Sequence, residues 1–462
     1  MFTIQQKLKP SLLEAFILTF LIISMIFSGI YFFEMTPHIP IFFAILLLIG
    51  YGLIKKVAFR ELENAMVEGA KSSLGAIYIF LLIGLLISSW LISGTIPTLL
   101  FFGLSIVTAS FFYAIVFIIS AIIGTAIGSS LTTVATVGVA FISVASAVDM
   151  SLAMTAGAIV SGAFFGDKMS PLSDTTNLAA SIAQIDIFDH IKNMSWTTVP
   201  AFIISAIIYA ILSPSMDNVD LSAIAEYKSI LGSLGLVHWY SVLPLVVLIG
   251  CTLFKVPAFL TLVLSILSGI ALSYFHLDLS LAELGGILYG GFSSTTGNEV
   301  VDSLLTRGGL SSMYFTIVLV VLSLSMGGLL FVLGIVQRLL ATVEHLLRST
   351  GSAITGAALT AIGINTVIGE QYLSILLTGE TFKAKFRELG LHPKNLARVM
   401  EDAGTVINPL VPWSVCGLFI ATMLNVPVLT YLPFAFFCLV SPILTILFGW
   451  LNITITKLNT TK

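Results

Sequence analysis

The segment Gly166–Asn177 gathers Asp167, Lys168, Ser170, Ser173, Asp174, Thr175, Thr176 and Asn177 around Pro171, between the apolar runs 153–165 and 178–185. Such a mixture is costly at membrane depth. It is tolerated where it is buried in protein or lines a water-filled cavity. Most of its groups are hard oxygen donors. A small cation such as Na+ favours several hydroxyl, carbonyl and carboxylate oxygens, by the hard-ligand logic that governs other such ions. A carboxylate taken out of water also holds a proton more tightly than a free Asp, whose pKa is about 3.9. One carboxylate that accepts either H+ or Na+ is a minimal exchanger, because binding one ion is linked to releasing the other.

Asp174 is the preferred ion and proton carboxylate, and Asp167 the second. Asp174 lies past the proline amid hydroxyls, whereas Asp167 adjoins Lys168. Lys168 is expected to compensate charge at Asp167 or Asp174. A purely structural ion pair there, or a hold on an anionic substrate, are the alternatives. Ser170, Ser173, Thr175, Thr176 and Asn177 complete the expected oxygen shell or cap the helix that resumes after Pro171.

Three further polar interruptions are expected to meet this one. Gly124–Thr133 carries Ser129 and Ser130 at the tip of a re-entrant hairpin. Gly363–Gln371 carries Asn365, Thr366 and Glu370 at a second tip. Glu401–Pro409 carries Asp402 and Asn408 in a second broken helix. The hydroxyls could equally be small packing residues of tight hairpins. Arg398 lies one turn from Glu401 and Asp402, which fits a cytoplasmic mouth. His190, between Asp189 and Lys192, reads as an interfacial loop. Glu299 and Asp302 read as a solvated loop or an external funnel for ions.

The elements that must position these groups are membrane helices. The chain is 57% hydrophobic and 9% charged, against about 25% charged in soluble domains. No charge falls between Lys71 and Asp149, Arg348 and Glu370, or Asp402 and Lys457. A lipid bilayer is therefore the expected partner, and no nucleic acid. Cys251, Cys416 and Cys438 lie in apolar runs and read as small hydrophobes. No phosphate-binding loop or zinc-ligand spacing occurs, so no cofactor is expected. The 152–183 run is too long for one span of about 20 residues and must break.

Basic residues at 7, 9, 55, 56, 60, 192, 338, 348 and 383–398 set the orientation, with both termini cytoplasmic in a cell (plasma) membrane. Asp217, Asp220 and Glu226 fall in an external loop. The chain also looks duplicated. Ala126-Ile127-Gly128 recurs as Ala361-Ile362-Gly363, and Ser170-Pro171-Leu172 as Asn408-Pro409-Leu410. The copies run in opposite senses through the membrane, a frequent plan of secondary transporters. The expected fold is an all-α integral membrane protein of two inverted repeats, each with a re-entrant hairpin and a broken transmembrane helix. The boundaries are 1–213, an external linker 214–237, and 238–462.

Gly166–Asn177, continued by Leu178-Ala179-Ala180, resembles the signature of the NhaC family of Na+/H+ antiporters. The likeness continues through Asp186, Phe188-Asp189-His190-Ile191 and the proline of the second broken helix. It implies the same two-repeat architecture and exchange of cytoplasmic Na+ for external H+, with Na+ as transported ion. The relatives it points to include malate–lactate exchangers. A Na+/H+-coupled organic-acid exchanger or an amino-acid transporter is therefore the alternative, with a passive channel behind it. A homodimer is one assembly expected. The sodium ligands, Asp174 and Asp167 first, follow from the chemistry above and not from the resemblance.

Overall fold

A computed structural model describes residues 4–106, 111–213, 221–254, 256–344 and 348–458. Among these residues the chain is helical, with short 3-10 and π turns. Strand-like pairing is confined to the bridges Phe292–Arg307 and Leu391–Lys457. Six helices are long and apolar enough to cross a membrane: Leu12–Tyr31, Leu74–Ile92, Ser130–Ala147, Ile187–Leu212, Leu310–Val332 and Thr350–Ile368. Two bent pairs also qualify: Pro393–Leu410 with Val415–Leu424 at 47°, and Val428–Phe434 with Phe436–Leu451 at 59°.

Local chemistry explains where these helices start and which face they bury. Ser11 and Glu14 form a capping box that opens Leu12–Tyr31, satisfying amides that have no partner within the helix. That helix buries Ala15, Leu18, Ile22 and Ile26 and turns Leu13, Phe16, Ile17 and Phe20 outward. Monomeric soluble proteins rarely expose so much contiguous apolar surface. Hydrocarbon is the solvent that suits it. The chain is an integral, multi-pass membrane protein.

Each long polar-interrupted run breaks, though not always where its polar residues begin. The run 152–183 divides into Leu152–Met169 and Asp174–Ala183. Within the stretch 363–371, expected to be a tip, Asn365 and Thr366 are helical, because Thr350–Ile368 runs unbroken and the chain turns only at Gly369. In the second half the helix from Pro393 continues as a π turn, Met400–Thr405, and breaks only over 406–414. Glu401 and Asp402, expected within the break, are therefore helical. Asp217 and Asp220 of the expected external loop lie outside the described residues.

A small apolar core joins the polar segments. Ala179, Ile182 and Ala183 pack with Ile354, Ala357 and Ala361, and with Ile375, Phe382 and Met400. The helix after the first break thus lies against Gln371–Glu388, the helix that follows Gly369.

Candidate functional site

Two elbows of the same local form enter the site. At the first, Gly128 has φ +71° and its N–H donates to the Gly124 carbonyl at 2.7 Å. Ser129 follows in extended conformation and caps the next helix by accepting from Thr132 N. At the second, Gly369 has φ +79° and donates to the Asn365 carbonyl at 2.8 Å. Glu370 follows in extended conformation and accepts from Leu373 N at 2.7 Å. Glycine meets the left-handed requirement at no steric cost.

Each elbow is stitched to the break of its own half. Asp167 accepts from Ser130 N at 3.2 Å and from Ser130 Oγ at 2.7 Å. A Cβ on Gly166 would lie 2.4 Å from Thr125 N, so this helix approaches the elbow helix backbone to backbone. In the second half, Asn365 donates to the Gly404 carbonyl at 2.6 Å and accepts from Asn408 Nδ2 at 2.8 Å. Val415 N donates to the Gly369 carbonyl at 2.8 Å. Each break ends on a serine cap, Ser173 accepting from Thr176 N and Ser414 from Gly417 N.

The first break is narrower than expected. Helix persists through Met169 because Pro171 restricts only the residue before it, and Ser170 is extended with ψ 130°. Asp167 and Lys168 thus occupy the last turn of one helix, and Asp174 to Asn177 the first turn of the next. Neighbours on a helix do not share a face. Asp167 turns to the first elbow, and Lys168 turns to the second half.

Lys168 therefore pairs with Asp402 and not with Asp167 or Asp174. Both members of the pair are fully buried. Ser441 Oγ lies 3.0 Å from Lys168 Nζ and 3.1 Å from Asp402 Oδ1, and Thr197 Oγ1 donates to Asp402 Oδ2 at 2.7 Å. Phe437 covers the ammonium, with its ring centre 5.5 Å away. Sequence reasoning missed Thr197 and Ser441. Thr197 is one of several hydroxyls in Ile187–Leu212, and Ser441 is one of two in the apolar helix Phe436–Leu451, so neither stood out.

A cavity of about 1200 Å³ lies between the halves. Of the sequence-predicted residues, Ser129, Asp174, Asn177 and Glu370 line it. Asp174 is exposed to it. Asn177 donates its amide N–H groups to the Pro171 and Ser173 carbonyls. The other predicted residues form its buried support. Ser173 and Thr175 bond to each other at 3.0 Å, and Thr176 Oγ1 donates to the Lys168 carbonyl at 3.2 Å. Ser170 Oγ accepts from Leu172 N. Thr366 lies apart, bonded to the Ile362 carbonyl and lining a separate apolar cavity of about 590 Å³. Among the described residues the remaining charged groups lining the main cavity are Glu68 and Lys71, paired at 2.5 Å.

One expectation outside the cavity changes. His190 is not in a loop: it is fully buried within Ile187–Leu212. The Arg398 guanidinium donates to Thr454 Oγ1 at 3.0 Å. Asp302 organises its own loop. It accepts from Thr296 N at 2.6 Å and from the Ser294 and Thr296 hydroxyls at 2.8 Å, and the Thr296 amide foremost holds its carboxyl below the usual range.

The cavity presents two carboxylates without an ion pair, Asp174 and Glu370, together with hydroxyl and amide groups, and among the described residues its one lining ammonium is already paired. That donor set suits a desolvated cation. Comparison with known proteins agrees in kind. Residues 162–453 match the family described as "Na+/H+ antiporter family". The chain is 42% identical to a protein named Na(+)/H(+) antiporter NhaC from Alkalihalophilus pseudofirmus, covering 94% of each chain. It is 38% identical to the Na(+)/H(+) antiporter NhaC of Bacillus subtilis, covering 92% of this chain and 95% of the relative. It is 32% identical to the Malate-2H(+)/Na(+)-lactate antiporter of the same organism, covering 98% of each.

Proposed function

The chain belongs to the Na+/H+ antiporter family, and on that premise we propose that it exchanges cytoplasmic Na+ for external H+ across the cell membrane. Asp174 is the sodium-binding carboxylate. Glu370 faces the same cavity and adds the second negative charge, and Ser129 and Asn177 supply neutral oxygens. Support comes from one observation above all: Asp174 and Glu370 share a cavity where, among the described residues, the one lining ammonium, Lys71, is already paired with Glu68. Two carboxylates facing one cavity repel each other until a cation or a proton occupies it.

The same observation weighs against an organic-acid exchanger. An organic anion would need a free cationic partner. Lys168, the ammonium that reading relied on, is buried against Asp402 and does not line the cavity.

The architecture we propose is two inverted repeats, 1–213 and 238–462, joined by an external linker 214–237, with both termini cytoplasmic. The matching elbows at Gly128 and Gly369, each followed by a cap residue, support re-entrant hairpins. The serine-capped breaks support one broken helix per repeat. Alternating access then moves one part of the molecule against the other around the cavity.

The test is purified protein in vesicles with an internal pH dye. A Na+ gradient alone should produce a change in pH, with no organic acid present. If Na+ alone moves no protons and malate or lactate restores the flux, the antiport reading is wrong.

A further inference from the structure

One group of buried ionisable residues lies outside the sodium cavity. Glu401 is fully buried, and neither of its carboxylate oxygens makes a hydrogen bond of good geometry, with the Thr405 hydroxyl one turn on near enough to act on it. It sits in the π turn Met400–Thr405, directly before Asp402. Single π turns within helices are frequent at functional sites. Around the neighbouring Asp402 the same condition recurs. Both ring nitrogens of His190 are unpartnered, as are Nε and Nη2 of Arg398 and the hydroxyls of Thr405 and Thr445. Buried polar atoms are nearly always bonded, and each exception needs an explanation.

The geometry places these groups on converging helix faces. Arg398 stands about one turn before Glu401 and Asp402, and Thr405 about one turn after them. His190 and Thr197 lie two turns apart on the helix Ile187–Leu212, and Thr197 donates to Asp402. Ser441 also donates to Asp402, and Thr445 stands one turn further on. The charged groups acting on Glu401 are Lys168, Asp167 and Asp402, and the Lys168 ammonium is already engaged by Asp402. Arg398 stands about one turn before it, and His190 completes the set from the helix behind Asp402. Glu401 is fully buried and makes no ion pair among the described residues, and an ionised carboxylate without one is in a costly state in a protein interior.

We propose that Glu401 is a proton-carrying carboxylate of the transport cycle, at a site separate from the sodium cavity. In the conformation described it holds the proton as a neutral acid. When the proton leaves as H+, the carboxylate that remains competes with Asp402 for Lys168. That competition reaches the sodium site through bonds already present. The Lys168 carbonyl accepts from Thr176 Oγ1, in the first turn of the helix that begins with Asp174. A shift of Lys168 therefore moves the start of that helix, and with it one sodium ligand. Taking up a proton again on Glu401 restores the Lys168–Asp402 pair.

The inference rests on the antiport reading, and one experiment separates the two. Wild-type protein and Glu401→Gln are placed in vesicles and assayed for Na+-driven proton flux and for exchange of labelled Na+ against unlabelled Na+. Glutamine has the shape of the protonated acid but cannot release a proton. The variant should keep Na+/Na+ exchange near the wild-type rate and lose proton flux by about 100-fold, the scale for removing a positioned proton-transfer group. Proton flux within about twofold of wild type would overturn the assignment, since a tenfold change is already only 1.36 kcal/mol. Loss of both activities would overturn it too, because Glu401 would then serve folding or sodium binding. No Na+-driven proton flux in the wild type would instead reject the antiport reading itself.

Discussion

The buried pair between Lys168 and Asp402 offers the sharpest stability test. Lys168→Met keeps most of the side-chain volume and removes the ammonium. Asp402 then stays fully buried with only two hydroxyl donors, from Thr197 and Ser441. Removing one partner of such a pair costs about 3–5 kcal/mol. The variant can escape part of that cost by protonating the orphaned carboxylate. A free aspartic carboxyl takes up its proton near pH 3.9, and each unit above that costs 1.36 kcal/mol, so the escape costs about 4 kcal/mol at pH 7 and about 1.5 at pH 5.

The deficit of Lys168→Met should therefore be about 4 kcal/mol at pH 7 and shrink by about 1.4 kcal/mol for each unit of acidification. The sign follows from linkage. The folded variant binds one proton more than its unfolded chain, so its stability falls as pH rises. The assay is denaturant unfolding in mild detergent at pH 5, 6 and 7, followed by tryptophan fluorescence. Lys168→Met/Asp402→Asn should recover most of the loss and abolish its pH slope. A variant as stable as wild type at pH 7, a deficit independent of pH, or no rescue by the second substitution would each refute the reasoning.

Two further outcomes follow from the site. Asp174→Asn should abolish Na+-dependent proton flux in vesicles and barely change stability. The side chain is exposed in the cavity, and a charge in the first turn of a helix is worth about 0.3–1 kcal/mol. Wild-type flux in that variant would remove Asp174 from the sodium site. Asn408→Leu should destabilise the protein, because it orphans Asn365 Oδ1 and the Cys416 amide, both buried, at about 1–3 kcal/mol each. Unchanged unfolding of that variant would show that the Asn365–Asn408 bond does not hold the second elbow to its break.

Much of this molecule could be read from the chain alone. Membrane insertion follows from long uncharged runs, because a backbone in hydrocarbon must satisfy its own hydrogen bonds and helices do so within one segment. The need for a break near Pro171 follows from a missing amide donor and a run too long for one span. The left-handed glycines at 128 and 369, each just before a cap residue, were within reach of sequence patterns, and the second turn falls at the C-terminal end of the stretch 363–371. Asp174 could be singled out because hydroxyls surround it in sequence.

Partnership was decided only by the tertiary structure. Asp167 and Lys168 are adjacent in the chain, yet one degree of helical freedom, the rotation of about 100° per residue, sends them to opposite halves. Asp167 meets Ser130, and Lys168 meets Asp402, 234 positions away. The same rotation separates Asp402, which is paired, from Glu401, which is not. Sequence records which groups the membrane must hide. Which of them face water, which face one another and which stay alone depends on how distant helices pack, and no local spacing carries that information. The cluster around Pro171 is therefore two sites and not one: Asp174 opens on the cavity, and Lys168 locks the halves together behind it.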